Sequence, residues 1–315
     1  MCTAESLRQY PGLVKALTGL PAEEFWPLVA DVAERWAGGE QARRARPERR
    51  AVGGGRRCER AMARRVAAVL PSLRLHVPPA VVGWLFGVSQ GAVSRERRAV
   101  LPVLRPCRPG PAVWAPADGQ APPVEAALAG GGRVLIDATA QRVARPGDDA
   151  TQRRYYSGKK KAHTRTTPLV ADGDHRILAR STAVPGATHD KTRGDALHTV
   201  DRSPDGVEAS ADTGYQGRAA QVGTVAVRDV ATREEQQRPR PAARTPHKEP
   251  RRFNRALGAV RVRVEHCLGW LKNWAVLATR FRCAHECYTP SMCVVCGLVN
   301  AQTARWQAAE AAYSA

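Results

Sequence analysis

The segment "RVLIDATAQRV", Arg133 to Val143, constrains the fold more than any other part of the chain. Its first half is a run of branched apolar residues, the composition of an extended strand with both faces covered. Asp137 closes that run. A buried carboxylate without a partner costs several kcal/mol, so a strand of this sequence is expected to end at the acid, beside something that neutralises it. Further strand candidates follow in "KAHTRTTPLVAD", "HRILARSTAV" and "GVEASADTGYQG", which ends at Asp212. The polar, Pro-rich stretch 231–252 reads as an irregular loop, and helices are predicted near 253–278 and 290–312.

The N-terminal third has a different pattern. Residues 1 to about 37 look helical, with Phe25, Leu28, Val29, Val32 and Trp36 at helical spacing and Gly38-Gly39 as the stop. A basic, Gly-rich segment 38–57 follows, then a helix near 59–70 that Pro71 is expected to end. "PPAVVGWLFGVSQGAVSRERRAVLPVL" reads as helix, tight turn, helix: Val82 and Leu85 face inward, Gly87-Val88-Ser89 makes the turn, and Ser89 caps a second helix to about Leu101. On that helix Gln90, Ser94, Arg95 and Arg98 share one side and suit a DNA major groove; the alternative is an ordinary helical hairpin. Arg97 falls four residues after Val93, where a core residue is due, so it snorkels or the helix is rotated. Residues 105–131 are rich in Pro and Gly and read as a linker.

Charge points the same way. The net charge is +20 and the sequence pI about 10.5, with seven Lys among 49 basic residues. Arg35 to Arg65 holds eleven Arg against Glu40, Glu48 and Glu59, a field suited to a polyanion rather than a scatter set by Arg usage alone. No run approaches the roughly 18 apolar residues of a membrane helix. The opening "MCTAESLRQYPGLVKAL" lacks a basic start followed by an apolar block, so no membrane association and a cytoplasmic location are expected. "CAHECYTPSMCVVC" has Cys pairs that superficially suit zinc, but Thr289 and Pro290 begin a helix in which Cys293 and Cys296 are more simply small core residues.

Acids at strand ends and one more on a late helix suggest carboxylates converging from separate elements, the donor set of a hard divalent cation. In the 253–278 helix Leu257, Val260, Val264, Cys267 and Leu271 form an apolar stripe. Arg261, Glu265 and Lys272 lie about 90° round from it at 100° per residue. That set places Glu265 to reach a metal and the two basic residues to hold phosphates; a solvated charged face is the alternative. Lys159, Lys160 and Lys161 follow Gly158 as a basic turn, read as a phosphate grip beside the first acid or as a solvated run. His189 and Asp190 are either a pair near the metals or a helix cap.

The motifs "LIDAT", "YYSGKKKAHT", "PGATHD", "ADTGYQG" and "NRALGAVRVRVEHCLGWLKNW", in this order from about residue 20 to 305, resemble those of the DDE transposases of bacterial insertion sequences, in the branch whose catalytic domain follows a helix-turn-helix. The resemblance implies an α/β fold: a ribonuclease H-like mixed sheet flanked by helices, preceded by a small all-α helix-turn-helix domain. It divides the chain into 1–57, an N-terminal helix and basic arm; 58–105, the DNA-binding helix-turn-helix; 106–131, a linker; 132–305, the catalytic domain; and 306–315, a tail. It also implies metal-dependent cleavage of element ends and strand transfer into target DNA. Asp137, Asp212 and Glu265 would be the catalytic and metal-binding triad, holding Mg²⁺ or Mn²⁺ as two ions. The partners would be double-stranded DNA, namely terminal inverted repeats and target, and a second copy in a dimeric synaptic complex. Arg261 and Lys272 match the family's basic helix positions. Gly258 stands where that helix has Tyr, and Thr213 where Lys follows the second Asp. These two departures keep open a catalytically degenerate DNA-binding protein that occupies element ends.

The charge distribution generates a first test. Binding of duplex DNA by this chain should weaken steeply between low and physiological salt. Ala at Arg56 and Arg57 should weaken all sequences alike, whereas Arg95→Ala should chiefly relax sequence preference; competition binding with specific and random duplexes separates the two effects.

Overall fold

The computed structural model describes residues 1–44, 61–108, 110–114, 132–188, 207–211, 225–227 and 262–314. The chain divides into two units, Met1–Gly110 with Leu271–Ala301, and Pro111–Trp270 with Gln302–Ala315.

In its described residues the first unit is helical: α1 (Ala4–Gln9), α2 (Pro11–Thr18), α3 (Ala22–Arg44), α4 (Met62–Arg74), α5 (Pro79–Phe86), α6 (Gln90–Leu104), and from the C-terminal part α9 (Ala275–Ala278) and the first half of α10 (Tyr288–Ser314). Two stops expected from local sequence do not act. Helix α3 continues through Gly38-Gly39 to Arg44; a helical Gly costs only about 1 kcal/mol relative to Ala, and neither of these takes the left-handed conformation that ends a helix. Helix α4 continues through Pro71. Pro71 forfeits one backbone donor, yet Val66, Leu70 and Leu73 on either side of it are fully buried, and burying such side chains is worth about 1.5–3 kcal/mol each.

Helices α5 and α6 meet at a tight turn. Gly87 closes α5 at φ 58°, and the Ser89 side chain accepts from the Ala92 amide, 3.2 Å. A Cβ on Gly83 would lie 2.5 Å from the Val88 carbonyl, so close passage of the turn over α5 requires glycine there. The inward residues are Val82 and Phe86, not Leu85, which is half-buried; the turn geometry rotates α5 by about one residue from the expected phase. Arg97 does not snorkel. It is 8 % exposed, and its Nη1 donates to Cys283 Sγ at 2.8 Å. Its neighbour Glu96 is buried too, paired with Arg65 at 2.8 Å, and the Arg65 guanidinium lies over the Trp36 ring.

The second unit is a mixed sheet. Its strands are β1 (Ala112–Trp114), β2 (Gly132–Arg142), β3 (Tyr156–Ser157), β4 (Ala162–Ala171), β5 (Ile177–Ser181), β6 (Val184–Pro185), β7 (Val207–Ala211) and β8 (Val225–Val227). The order is β1-β5-β4-β2-β7-β8, with β3 and β6 pairing off β4. Strands β2, β4 and β5 form an antiparallel meander, and β7 and β8 run parallel to β2. Helix α7 (Asp149–Tyr155) precedes β3, and α8, residues 262–272, carries the late acid. Strand β1 falls within the segment read as a linker. Helix α8 ends at residue 272 instead of running to 278: Trp274 is extended and caps α9. Helix α10 starts at Tyr288, so Thr289 and Pro290 occupy its first turn and Thr289 is not the cap. Cys267, Cys287, Cys293 and Cys296 are buried, and none of them is in a disulfide.

His76 gives the first unit a pH dependence. It sits at φ 51°, and its Nδ1 donates to Thr279 Oγ1 at 2.7 Å, because that hydroxyl spends its own proton on the Ala275 carbonyl. Burial, then the Arg282 and Arg97 charges, lower its pKa from 6.5 to about 4. Between those values the unfolded chain binds a proton that the folded chain refuses, so stability falls as pH drops through this window, by at most about 3 kcal/mol from this group. Urea midpoints from pH 7 to 4.5 should show that His76→Asn, whose side chain tolerates positive φ, flattens the slope.

Candidate functional site

Asp137 is the sixth of eleven residues in β2, so the expectation of a strand end needs correcting. The strand continues because Asp137 to Arg142 pair with Leu169 to Thr164 of β4. On the other side of β2, the parallel pairing with β7 runs from Gly132↔Val207 to Ile136↔Ala211. Asp137 is the β2 residue that follows the last described β2–β7 pair, toward the carboxyl end of the parallel strands, where ligands of open α/β sheets collect. It is half-buried, and its Oδ1 accepts from the Ala138 amide at 2.7 Å.

Residues opposite one another in an antiparallel pair share a face, which gives Asp137 a set of neighbours that sequence reading missed. Leu169 is opposite it, and Arg180 of β5 is opposite Leu169, two strand spacings or roughly 10 Å from Asp137. Arg180 is 3 % exposed and donates from Nη1 to the Ser181 carbonyl at 3.4 Å. Further along the face come Thr139↔Thr167 and Gln141↔Arg165, with Arg165 Nη2 donating to the Tyr155 hydroxyl at 3.2 Å. The only advance signal for this polar face was the alternation Asp137, Thr139, Gln141 itself.

Glu265 is exposed on α8, whose other side buries Val264, Cys267, Leu268 and Leu271. That is the expected apolar stripe in its described part. The residues flanking Glu265 in sequence hold the β4–β5 turn: Cys267 Sγ donates to the His175 carbonyl at 3.2 Å, and His266 Nδ1 lies 3.3 Å from His175 Nε2. Burial, then the His266 and Arg263 charges, push the His175 pKa down; burial pushes the Cys267 thiol up to about 12. With its imidazole and thiol neighbours engaged, Glu265 is left offering carboxylate oxygens. Like those of Asp137, these are hard donors of the kind Mg²⁺ and Mn²⁺ take.

The expected basic residues are distributed more widely. Lys159, Lys160 and Lys161 are exposed in the β3–β4 hairpin loop, with Lys161 at φ 48°. They do not sit beside Asp137: Lys161 lies eight residues (169 − 161) before Leu169 along β4, roughly 26 Å at strand rise. Lys272 is exposed at the end of α8. On α6, Gln90, Arg95 and Arg98 are exposed and Ser94 is half-buried, all away from the face formed by Val93, Arg97, Val100 and Leu104. Arg98 pairs with Glu286 at 3.2 Å where both are exposed, a contact screened by solvent and easily exchanged for a phosphate. Asp212, Thr213, Gly258, Arg261, His189 and Asp190 lie outside the described residues. Among the described residues no three His, Cys, Asp or Glu side chains form a metal-holding group, and no helix is long and apolar enough to cross a membrane.

Comparison with known proteins bears on residues 136–300, which match the family model described as DDE superfamily endonuclease. The chain is also 26% identical over 175 residues to a probable transposase for insertion sequence element IS702 of Microchaete diplosiphon, covering 54% of this chain. It spans 57% of the length of that relative. No solved structure matches. The matched region starts one residue before Asp137 and takes in Asp212 and Glu265, and the chain belongs to the DDE superfamily of endonucleases.

Proposed function

We propose that this protein is an insertion-sequence transposase that cleaves DNA at element ends and joins the freed 3′-hydroxyl to target DNA, with Asp137, Asp212 and Glu265 as its metal-holding triad. One observation carries the reading: Ile136 and Ala211 are neighbours on parallel strands, and the residues that follow them in the chain are Asp137 and Asp212. The ribonuclease H-like fold is supported by the same sheet, an antiparallel three-strand meander continued by two strands parallel to its first.

Two divalent cations, Mg²⁺ or Mn²⁺, would supply activation of the attacking oxygen and stabilisation of the leaving one when bound. The chain's own residues do the positioning, which is most of what phosphodiester chemistry asks of a protein. The three carboxylates hold the cations. Arg261, and Lys272 at the end of the late helix that bears Glu265, hold phosphates of the cleaved strand, and Lys159, Lys160 and Lys161 grip the duplex further out. Gln90, Ser94, Arg95 and Arg98 read the terminal repeat in the major groove, with 58–105 as the DNA-binding domain and 132–305 as the catalytic one. His189 and Asp190 serve either as a supporting pair for the metal ligands or as a helix cap. Two copies meet in the synaptic complex, each binding one element end.

The test uses a labelled duplex carrying an element end. Ala at Asp137, Asp212 or Glu265 should abolish nicking in Mg²⁺ or Mn²⁺ while leaving duplex binding within about threefold, since basic surfaces carry the binding. Robust nicking by any of the three variants, or by the unaltered protein in excess chelator, sinks the triad.

Gly258 supports a second reading, in which the chain occupies element ends without cutting them. Lys272→Ala should lower nicking by about one to two orders of magnitude, the worth of a charged hydrogen bond. Gly258→Tyr should raise it by restoring a phosphate contact and firming the helix. If none of the three proteins nicks despite tight binding, the occupying role is the correct one.

A further inference from the structure

Helix α8 bears Glu265 on an exposed side, and an exposed side chain is aimed only as well as its helix is held. The grip is concentrated in one place. His266 and His175 present their rings at 12° to one another with centroids 5.4 Å apart, while Nδ1 of one and Nε2 of the other are 3.3 Å apart. The nitrogens thus face each other along the line joining the rings: an N–H of one meets the lone pair of the other. Two ligands of a shared metal would instead direct their lone pairs at a common third point, so the geometry is that of a hydrogen bond and not of a chelating pair.

Further contacts close around this bond. Trp270, one helical turn after His266, lies 5.3 Å from the His175 ring and 6.1 Å from the His266 ring. Trp306 of α10 meets Trp270 edge-on at 5.3 Å, and Gln307 donates to the Asp174 carbonyl at 2.7 Å. Cys267 donates to the His175 carbonyl on the other flank. The turn being gripped is itself rigid: Asp172 Oδ1 accepts from the Asp174 and Arg176 amides, at 2.9 and 2.8 Å, and His175 stands at φ 62°. It follows directly on Ala171, which pairs with Leu135, two residues before Asp137.

We propose that His175 and His266 are positioning residues for Glu265, joining the acid-bearing helix to the strand pair that carries Asp137 and so setting where the Glu265 carboxylate stands relative to Asp137. This rests on the reading of Glu265 as a metal ligand. Sites of this kind need their ligands held to about 0.5 Å and 10–20°, and loss of a residue that orients a ligand typically costs 10–100-fold in metal affinity.

The experiment measures Mn²⁺ binding to the full chain without DNA, from the loss of the free-ion electron paramagnetic resonance signal, alongside hydrogen exchange of the amides of residues 262–272. Binding should depend on Glu265, failing in Glu265→Ala. His175→Ala and His266→Ala should each weaken it about tenfold, the double variant should be no worse than either single, and exchange over 262–272 should speed up in all three. His266→Asn, whose amide nitrogen can replace Nδ1, should stay within about threefold of the unaltered protein, a rescue that loss of general packing does not predict. If binding requires Glu265 but the histidine variants bind Mn²⁺ as well as the unaltered chain, the positioning role is wrong and the triad stands. If Glu265→Ala binds Mn²⁺ normally, the triad reading fails and the positioning role falls with it. Unchanged exchange over 262–272 in the histidine variants overturns the clamp whatever the metal data show.

Discussion

The candidate chemistry depends on the pairing of β2 on both sides. Strand β4 accompanies it along eight residues, from Leu135 to Arg142, and among the described residues β7 pairs with it in parallel from Gly132 to Ile136. A strand hydrogen bonded on both sides and covered on both faces must be apolar, and Val134, Leu135 and Ile136 are buried. Asp137 follows them directly in the chain, half-buried and paired with Leu169 of the meander. Arg180, in the same cross-strand row, brings a buried positive charge to that face, and Thr139, Thr167, Gln141 and Arg165 continue it as a polar surface inside a sheet whose other residues are largely apolar.

The helical unit solves a different problem, that of presenting exposed cations on a helix whose inner face also carries charge. Arg97 and Glu96 of α6 are both buried, and a buried charge without a partner is strongly destabilising. Glu96 is paired with Arg65, and Arg97 Nη1 donates to the Cys283 sulfur, both contacts reaching a distant part of the chain. These contacts fix the rotation of α6 about its axis and thereby determine that Gln90, Arg95 and Arg98 face outward. The aromatic and cationic partners of this unit recur in pairs, as with Arg65 over Trp36 and Arg74 over Trp274, where a delocalised guanidinium can be covered with less loss of hydration than an ammonium.

Where local sequence signals and the structure differ, tertiary packing is the cause. Gly38-Gly39 and Pro71 are strong local signals, and both were overridden: α4 buries Val66, Leu70 and Leu73 around its proline, and the packing gained exceeds the hydrogen bond lost. The opposite error occurred in the late helix, where a continuous apolar stripe suggested one element to residue 278 and the chain breaks at Asn273 and Trp274. Arg74 meets that break from α4, with Nη1 donating to the Asn273 carbonyl at 2.5 Å. No local pattern announces a partner 199 residues away. The phase of α5 was misjudged by one residue for a similar reason, since Gly83 must accept the turn backbone at close range.

What the sequence determined by itself was the periodic part: four strand candidates in the right places, the apolar stripe of Val264, Cys267 and Leu271, and the turn at Gly87 with its Ser89 cap. These follow from spacing along the chain, because a strand repeats every two residues and a helix every 3.6 whatever surrounds them. Only the tertiary structure decided how far each element runs, which residues share Asp137's face, and that the Lys159–Lys161 hairpin lies far along β4 from it. The same holds for His175 and His266: 91 residues separate them, and nothing in either local sequence marks them as a pair. Strand order and register bring distant residues into contact, and those pairings depend on burial summed over the whole sheet rather than on any pattern within reach of one segment.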